Sequence, residues 1–122
     1  MGLTHVAVRL FNSESQTAYH DDFLVDTGAM DTMAPACALR KIGVKPIGKD
    51  QYEMANGDVV EFEHGNVEME FMGEVIPTRI LFGPDHSDPI LGVVALETAG
   101  FIVDPKNQTL RKRRARPLKR VA

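Results

Sequence analysis

Along most of this chain apolar and polar residues alternate with a period of two. Residues 4–11, THVAVRLF, set apolar side chains at every second position, the pattern of a strand with one buried face. Residues 18–25, AYHDDFLV, close on the bulky triplet Phe23-Leu24-Val25, which reads as a buried strand end. Residues 51–62, QYEMANGDVVEF, hold Asn56-Gly57 between two strand-like runs. Asn-Gly predicts a tight hairpin turn in which both central residues take positive φ. A second pair of runs, 66–72 and 75–82, joins around Gly73, and residues 101–112 predict a last hairpin turning at Asp104-Pro105-Lys106-Asn107.

Two segments depart from alternation. Pro35 to Gly43 predicts a short helix, with proline near its start, Arg40 and Lys41 in its last turn and glycine at its end. Pro89-Ile90-Leu91-Gly92 leads into VVALETAG, a second helix stopped by Gly100. Neither a repeat nor a low-complexity linker interrupts the chain, so residues 1–110 read as one domain and residues 111–122 as a basic tail.

Composition narrows the class. A chain of 122 residues, 43% hydrophobic and 25% charged, matches a soluble domain with a real core. No stretch approaches the roughly 20 apolar residues of a membrane span. The first residues, MGLTHVAVRLFNS, have neither the basic start nor the apolar core of a signal peptide. The single cysteine, Cys37, has no internal disulfide partner, and the expected location is cytoplasmic. Cys37 sits among alanines and reads as a small buried residue, not a nucleophile. Met54, Met69 and Met72 read as core or groove fillers. His5, His20, His64 and His86 are scattered without metal-ligand spacing, so neither a metal nor an organic cofactor is expected.

The net charge of -3 conceals an asymmetry. Residues 111–122 carry seven of the 14 Lys and Arg and none of the 17 acids, which leaves -10 on the rest. The first reading is a solvated tail. The alternative is contact with nucleic acid or docking on an acidic surface, although no aromatic residue is interleaved for base stacking.

The chemistry centres on Asp26. The run FLV delivers its carboxylate into the turn Asp26-Thr27-Gly28-Ala29, where small residues allow a sharp bend and close approach of another chain. The plain reading is a strand end followed by an ordinary turn. The catalytic reading requires two carboxyls about 3 Å apart that share one proton, so that one activates water and the other donates to the substrate carbonyl. The chain holds no second Asp-Thr-Gly or Asp-Ser-Gly; Asp21 and Asp22 precede the strand end, and Asp85 and Asp88 lie in a polar loop. A catalytic Asp26 therefore needs Asp26 of a second chain, which a two-fold symmetric dimer supplies.

With FLVDTGAMDT, the hairpin QYEMANGDVV, the segment PILG and LETAGFIVDPKNQTL in this order, the chain resembles the retropepsin-like aspartic proteases from about residue 4 to about residue 111. That family includes retroviral proteases and the protease domain of DNA-damage-inducible proteins. The resemblance implies an all-β, small closed or nearly closed barrel with a flap hairpin and one or two short helices. It implies a homodimeric endopeptidase acting on a protein or peptide substrate, with Asp26 catalytic. Thr27 would brace the dimer, Gly28 and Ala29 would present backbone groups to substrate, and Asp31 and Ile90 would line the groove. Ala55, Asn56 and Gly57 would form the flap tip, and Leu91 and Gly92 would pack behind the site. Two residues depart from the retroviral pattern: Met30 stands where an acid follows the alanine, and Val93 where an arginine follows the glycine. The alternatives are an inactive dimerisation or peptide-binding module on the same fold, or a nucleic-acid-associated protein acting through residues 111–122.

Overall fold

The alternation at the N-terminus becomes strand β1 (His5–Phe11), which buries Val8 and Leu10 and pairs antiparallel with β2 (Ala18–Val25). The computed structural model describes residues 4–115 and residue 118. Strand β3 (Thr32–Pro35) leads into α1 (Ala36–Lys41). Strands β4 (Gly48–Glu53) and β5 (Val59–Phe71) form the first long hairpin, and β5 turns back as β6 (Glu74–Gly83). The two-residue strand β7 (Ile90–Leu91) precedes α2 (Val93–Ala99), and β8 (Phe101–Asp104) and β9 (Thr109–Lys112) close the chain as a separate sheet. Among the described residues no helix is long and apolar enough to cross a membrane.

Seven strands run in the order β1-β2-β7-β3-β6-β5-β4, and β1 also pairs with β5 through Arg9–Phe11 and Glu68–Glu70. The expected barrel is thus a partly closed sheet in which β4 hangs from the outside of β5. Its interior is filled by Leu10, Phe23, Leu39, Ile42, Met69, Phe71, Ile80 and Leu91, each essentially inaccessible. Strand β7 is parallel to β2 and antiparallel to β3, so two residues from late in the chain sit between two early strands.

The hairpin turns exchange the conformations read from sequence. At Asn56-Gly57 the Gly57 N–H donates to Met54 O at 2.9 Å, and only Gly57 of this loop has positive φ, at 90°. This is a three-residue loop, Ala55 to Gly57, closed by a left-handed glycine. Asn56 stays right-handed because its Oδ1 accepts the Asp58 N–H at 3.0 Å. The turn with two positive φ values lies instead at Met72-Gly73, at 51° and 81°, where Phe71 faces Glu74 directly.

Several single-residue expectations change. Cys37 is exposed: six-residue α1 buries only Leu39, and Cys37 lies on its other side, donating its backbone N–H to Asp85 Oδ1 at 2.9 Å. Met69 is core, whereas Met54 and Met72 are exposed. Strand β9 takes in Arg111 and Lys112, the first residues of the basic run. Lys112 Nζ donates to Ala99 O, pairs with Glu74 at 2.9 Å and stands over the Phe101 ring, which itself packs on Phe71 at 5.4 Å. These contacts fasten the small sheet to the large one. Residues 116, 117 and 119–122 of the expected tail lie outside the described residues.

Met72 is half exposed and holds a left-handed backbone that an unbranched L-residue enters at a cost of about 1 kcal/mol. Met72→Asn installs the residue pair this turn prefers. It is expected to raise the denaturant midpoint by the equivalent of about 0.5–1 kcal/mol, at unchanged slope. A lowered midpoint would mean that the Met72 side chain contributes more than its backbone costs.

Candidate active site

Strand β2 carries its apolar triplet into the sheet, with Phe23 fully buried, and releases the chain at Asp26. The Asp26 N–H donates to Leu91 O at 3.0 Å, so β7 fixes the backbone from which the carboxylate projects. Asp26 Oδ1 accepts the Gly28 N–H at 2.9 Å, and the Ala29 N–H donates to Asp26 O at 3.1 Å. Asp26 is half-buried, while Thr27 and Gly28 are exposed. The carboxylate is therefore oriented by backbone and open on one side.

The segment behind the turn is packed to backbone contact. A Cβ on Gly92 would lie 2.6 Å from Asp31 C and O and 2.7 Å from Met30 O, so no other residue fits without moving the turn. The Gly92 N–H donates to Thr32 Oγ1 at 3.0 Å inside the protein. The first helical N–H groups of α2, on Val93 and Val94, donate to Ala29 O and Met30 O at 2.9 and 3.0 Å. These donors have no partner within their own helix, so the turn satisfies them and is held by them. Leu91 is fully buried, and Ile90 is half-buried opposite Leu24 and Met33.

Asp31 is only 8% exposed and does not stand open to solvent. Its Oδ2 accepts the Tyr52 hydroxyl at 2.5 Å and lies 3.5 Å from Arg79 Nε. Arg79 Nη2 donates to Asp50 Oδ2 and to the Tyr52 oxygen at 3.3 Å, and lies 3.1 Å from His64 Nδ1. Burial first, and the bond to Asp31 second, push the Tyr52 phenol above its ordinary range. The hydroxyl thus keeps its proton and donates. Such a charge-assisted bond contributes about 1.5–3 kcal/mol. The cluster joins the segment after the Asp26 turn, the outer hairpin strand β4 and the inner strand β6.

The structure brings together Asp26, Gly28, Ala29, Asp31, Leu91 and Gly92. Thr27 lies in the same turn, and Ala55, Asn56 and Gly57 sit exposed at the tip of the β4–β5 hairpin. Sequence reading missed Thr32, Tyr52 and Arg79. Thr32 had a faint signal as a lone hydroxyl in the short apolar strand TMAP. Tyr52 and Arg79 look like ordinary strand residues, because their partner is distant in sequence.

The fold as a whole is similar to that of solved viral protease structures. The EIAV protease complexed with the inhibitor HBY-793 aligns with a TM-score of 0.58 and 22% identity, over 79% of this chain and 86% of that one. The fold is retropepsin-like. The foamy viral protease-reverse transcriptase in complex with RNA/DNA hybrid aligns with a TM-score of 0.57 and 17% identity, over 77% of this chain and 11% of that much longer one. No protein-family model matches the sequence, and no curated protein matches it significantly. Against the retroviral pattern, this retropepsin-like chain lacks the charge pair at Met30 and Val93. Backbone N–H groups of α2 hold the turn here, and the cation near it comes from Arg79 of β6.

Thr32 is 1% exposed, and its hydroxyl accepts the buried Gly92 N–H. Thr32→Val keeps the shape and strands that donor. The expected loss is about 1–3 kcal/mol of unfolding free energy in urea. A variant as stable as the parent would show that water or relaxation satisfies Gly92.

Proposed function

We propose that the protein is an aspartic endopeptidase acting as a homodimer, with Asp26 of each chain forming the catalytic pair. The observation that carries this reading is the Asp26 turn: a half-buried carboxylate, oriented by the Gly28 N–H and braced by β7 and α2, in a retropepsin-like fold. One chain supplies one such carboxylate. Asp31, the nearest acid after it, is committed to Tyr52 and Arg79.

The surface beside the turn suits a second copy. Met30 is 68% exposed and Val94, whose N–H donates to Met30 O, 39%, and the exposed Thr27 lies in the same turn segment as Met30. An apolar rim around an open carboxylate favours association that excludes water. In the dimer the two carboxyls share a proton, as in aspartic proteases generally. The ionised one takes a proton from water as the oxygen attacks the scissile carbonyl, and the protonated one donates to the carbonyl oxygen; the tetrahedral intermediate then returns that hydroxyl proton to its carboxylate, and the other carboxyl protonates the amine nitrogen as the C–N bond breaks. Thr27 braces the two turns, backbone groups of Gly28 and Ala29 meet the substrate chain, and Ile90 lines the groove. The hairpin tip at Ala55, Asn56 and Gly57 closes over the peptide and excludes water.

Asp26→Asn tests the assignment. With an unfolded-protein or peptide library read by mass spectrometry, cleavage should fall at least about 100-fold while the melting temperature holds or rises. Cleavage surviving in the variant would remove Asp26 from the mechanism, and a parent protein that cleaves nothing would favour a peptide-binding module.

Half a site per chain also fixes a concentration dependence. Specific activity should drop on dilution through the dimer dissociation constant, followed by sedimentation under assay conditions. A fully active monomer would refute the paired-Asp26 reading.

A further inference from the structure

The β4–β5 hairpin outreaches the sheet that supports it. Strand β6 pairs with β5 only from His64 to Phe71, whereas β4 pairs with β5 from Val59 to His64. Residues 49–63 are therefore a ribbon of two strands with their loop. It buries little: Val59 and Val60 are exposed at 62% and 37%. An isolated two-stranded ribbon is marginal in water. Something else has to set its angle to the body.

Side chains at its base do so. Tyr52 reaches Asp31 at 2.5 Å, and Asp50 binds Arg79, which also contacts Asp31 and Tyr52. His64 packs into the place a Gly48 side chain would take, 2.8 Å from the ideal Cβ position. A further tie, Arg40 to Glu63 at 3.3 Å, is exposed and therefore weak. Asp31 is the buried member, so the hydrogen bond it accepts from Tyr52, backed by the 3.5 Å ion pair with Arg79 Nε, holds more firmly than an exposed pair.

We infer that Tyr52 and Arg79 are positioning residues: they bind Asp31 and thereby anchor the lid ribbon to the segment that carries Asp26. The inference rests on the proteolytic reading for its effect on catalysis, but the anchor itself is a property of the free protein. It changes the role of Asp31. That carboxylate serves the lid's attachment and is not available as a groove wall for substrate.

Tyr52→Phe removes the hydroxyl and keeps the ring against Phe62, whose centroid lies 6.0 Å away. Hydrogen exchange by mass spectrometry should show amides of residues 49–63 exchanging about tenfold faster or more, with β1 and the buried part of β6 unchanged. With a peptide found in the library cleavage, KM should rise about tenfold while kcat falls less. Arg79→Lys keeps the charge but loses the planar guanidinium that faces Asp31 through Nε and Asp50 and Tyr52 through Nη2, and should shift both readouts in the same direction. Asp50→Asn, at the exposed end of the cluster, provides the same test should Tyr52→Phe not fold. Unchanged ribbon exchange, or a uniform rise across core strands, overturns the anchor. Faster ribbon exchange in a protein that cleaves no peptide upholds the anchor and refutes only the proteolytic reading.

Discussion

The backbone of Met30 and Asp31 occupies the space where Gly92 would otherwise carry a side chain, and this contact governs the architecture around it. Because the two backbones touch, the donors on Gly92, Val93 and Val94 find acceptors on Thr32, Ala29 and Met30. The Asp26 N–H is taken by Leu91 in the same way. The N–H groups of Asp26, Gly92, Val93 and Val94 brought into this contact each find an acceptor, which is the condition for packing backbone on backbone away from water. The turn is thus stiff where it must orient a carboxylate, and the stiffness comes from main chain. Main-chain donors can take over from a side-chain ion pair here, which is why Met30 and Val93 are compatible with the fold.

The β4–β5 ribbon obeys the opposite rule. It has few buried apolar atoms, so its stability is borrowed from charged and phenolic groups at the base. Stiff turn and loosely held ribbon meet at Asp31, which begins the return from the turn and receives Tyr52. Turn and ribbon are joined through one carboxylate.

Much of this was legible in the sequence, for identifiable reasons. The strands β1 and β2, the helix stop at Gly100 and the turn at Asp104 depend on local periodicity and turn chemistry, which neighbouring residues specify. Asp26, Leu91 and Gly92 were visible because their spacing follows a familiar order. The hairpin at Asn56-Gly57 was legible as a hairpin and misread as a turn, because Asp58 offers Asn56 a side-chain bond that holds it right-handed. Met72 was illegible as a turn residue: register between β5 and β6 forces a bulky side chain into a position that its own preference opposes. Cys37 was misplaced because a six-residue helix has room to bury one residue, and Leu39 takes it. The Asp31 cluster was hidden altogether, since its members come from the residue before β3 and from β4, β5 and β6 and meet only once the sheet has formed.

The two residues of β7 carry a consequence for the order of assembly. They lie between β2 and β3, so the early strands have no direct pairing of their own at that seam until Ile90 and Leu91 arrive. Contacts so distant along the chain are slow to form, because a long loop must close before any of them is gained. A nascent chain that has emerged only through its first hairpins holds Asp26 on an unbraced strand end, with Gly92 and the start of α2 still to come. Until those residues are in place the Asp26 N–H lacks its acceptor on Leu91, and the carbonyls of Ala29 and Met30 lack the donors on Val93 and Val94.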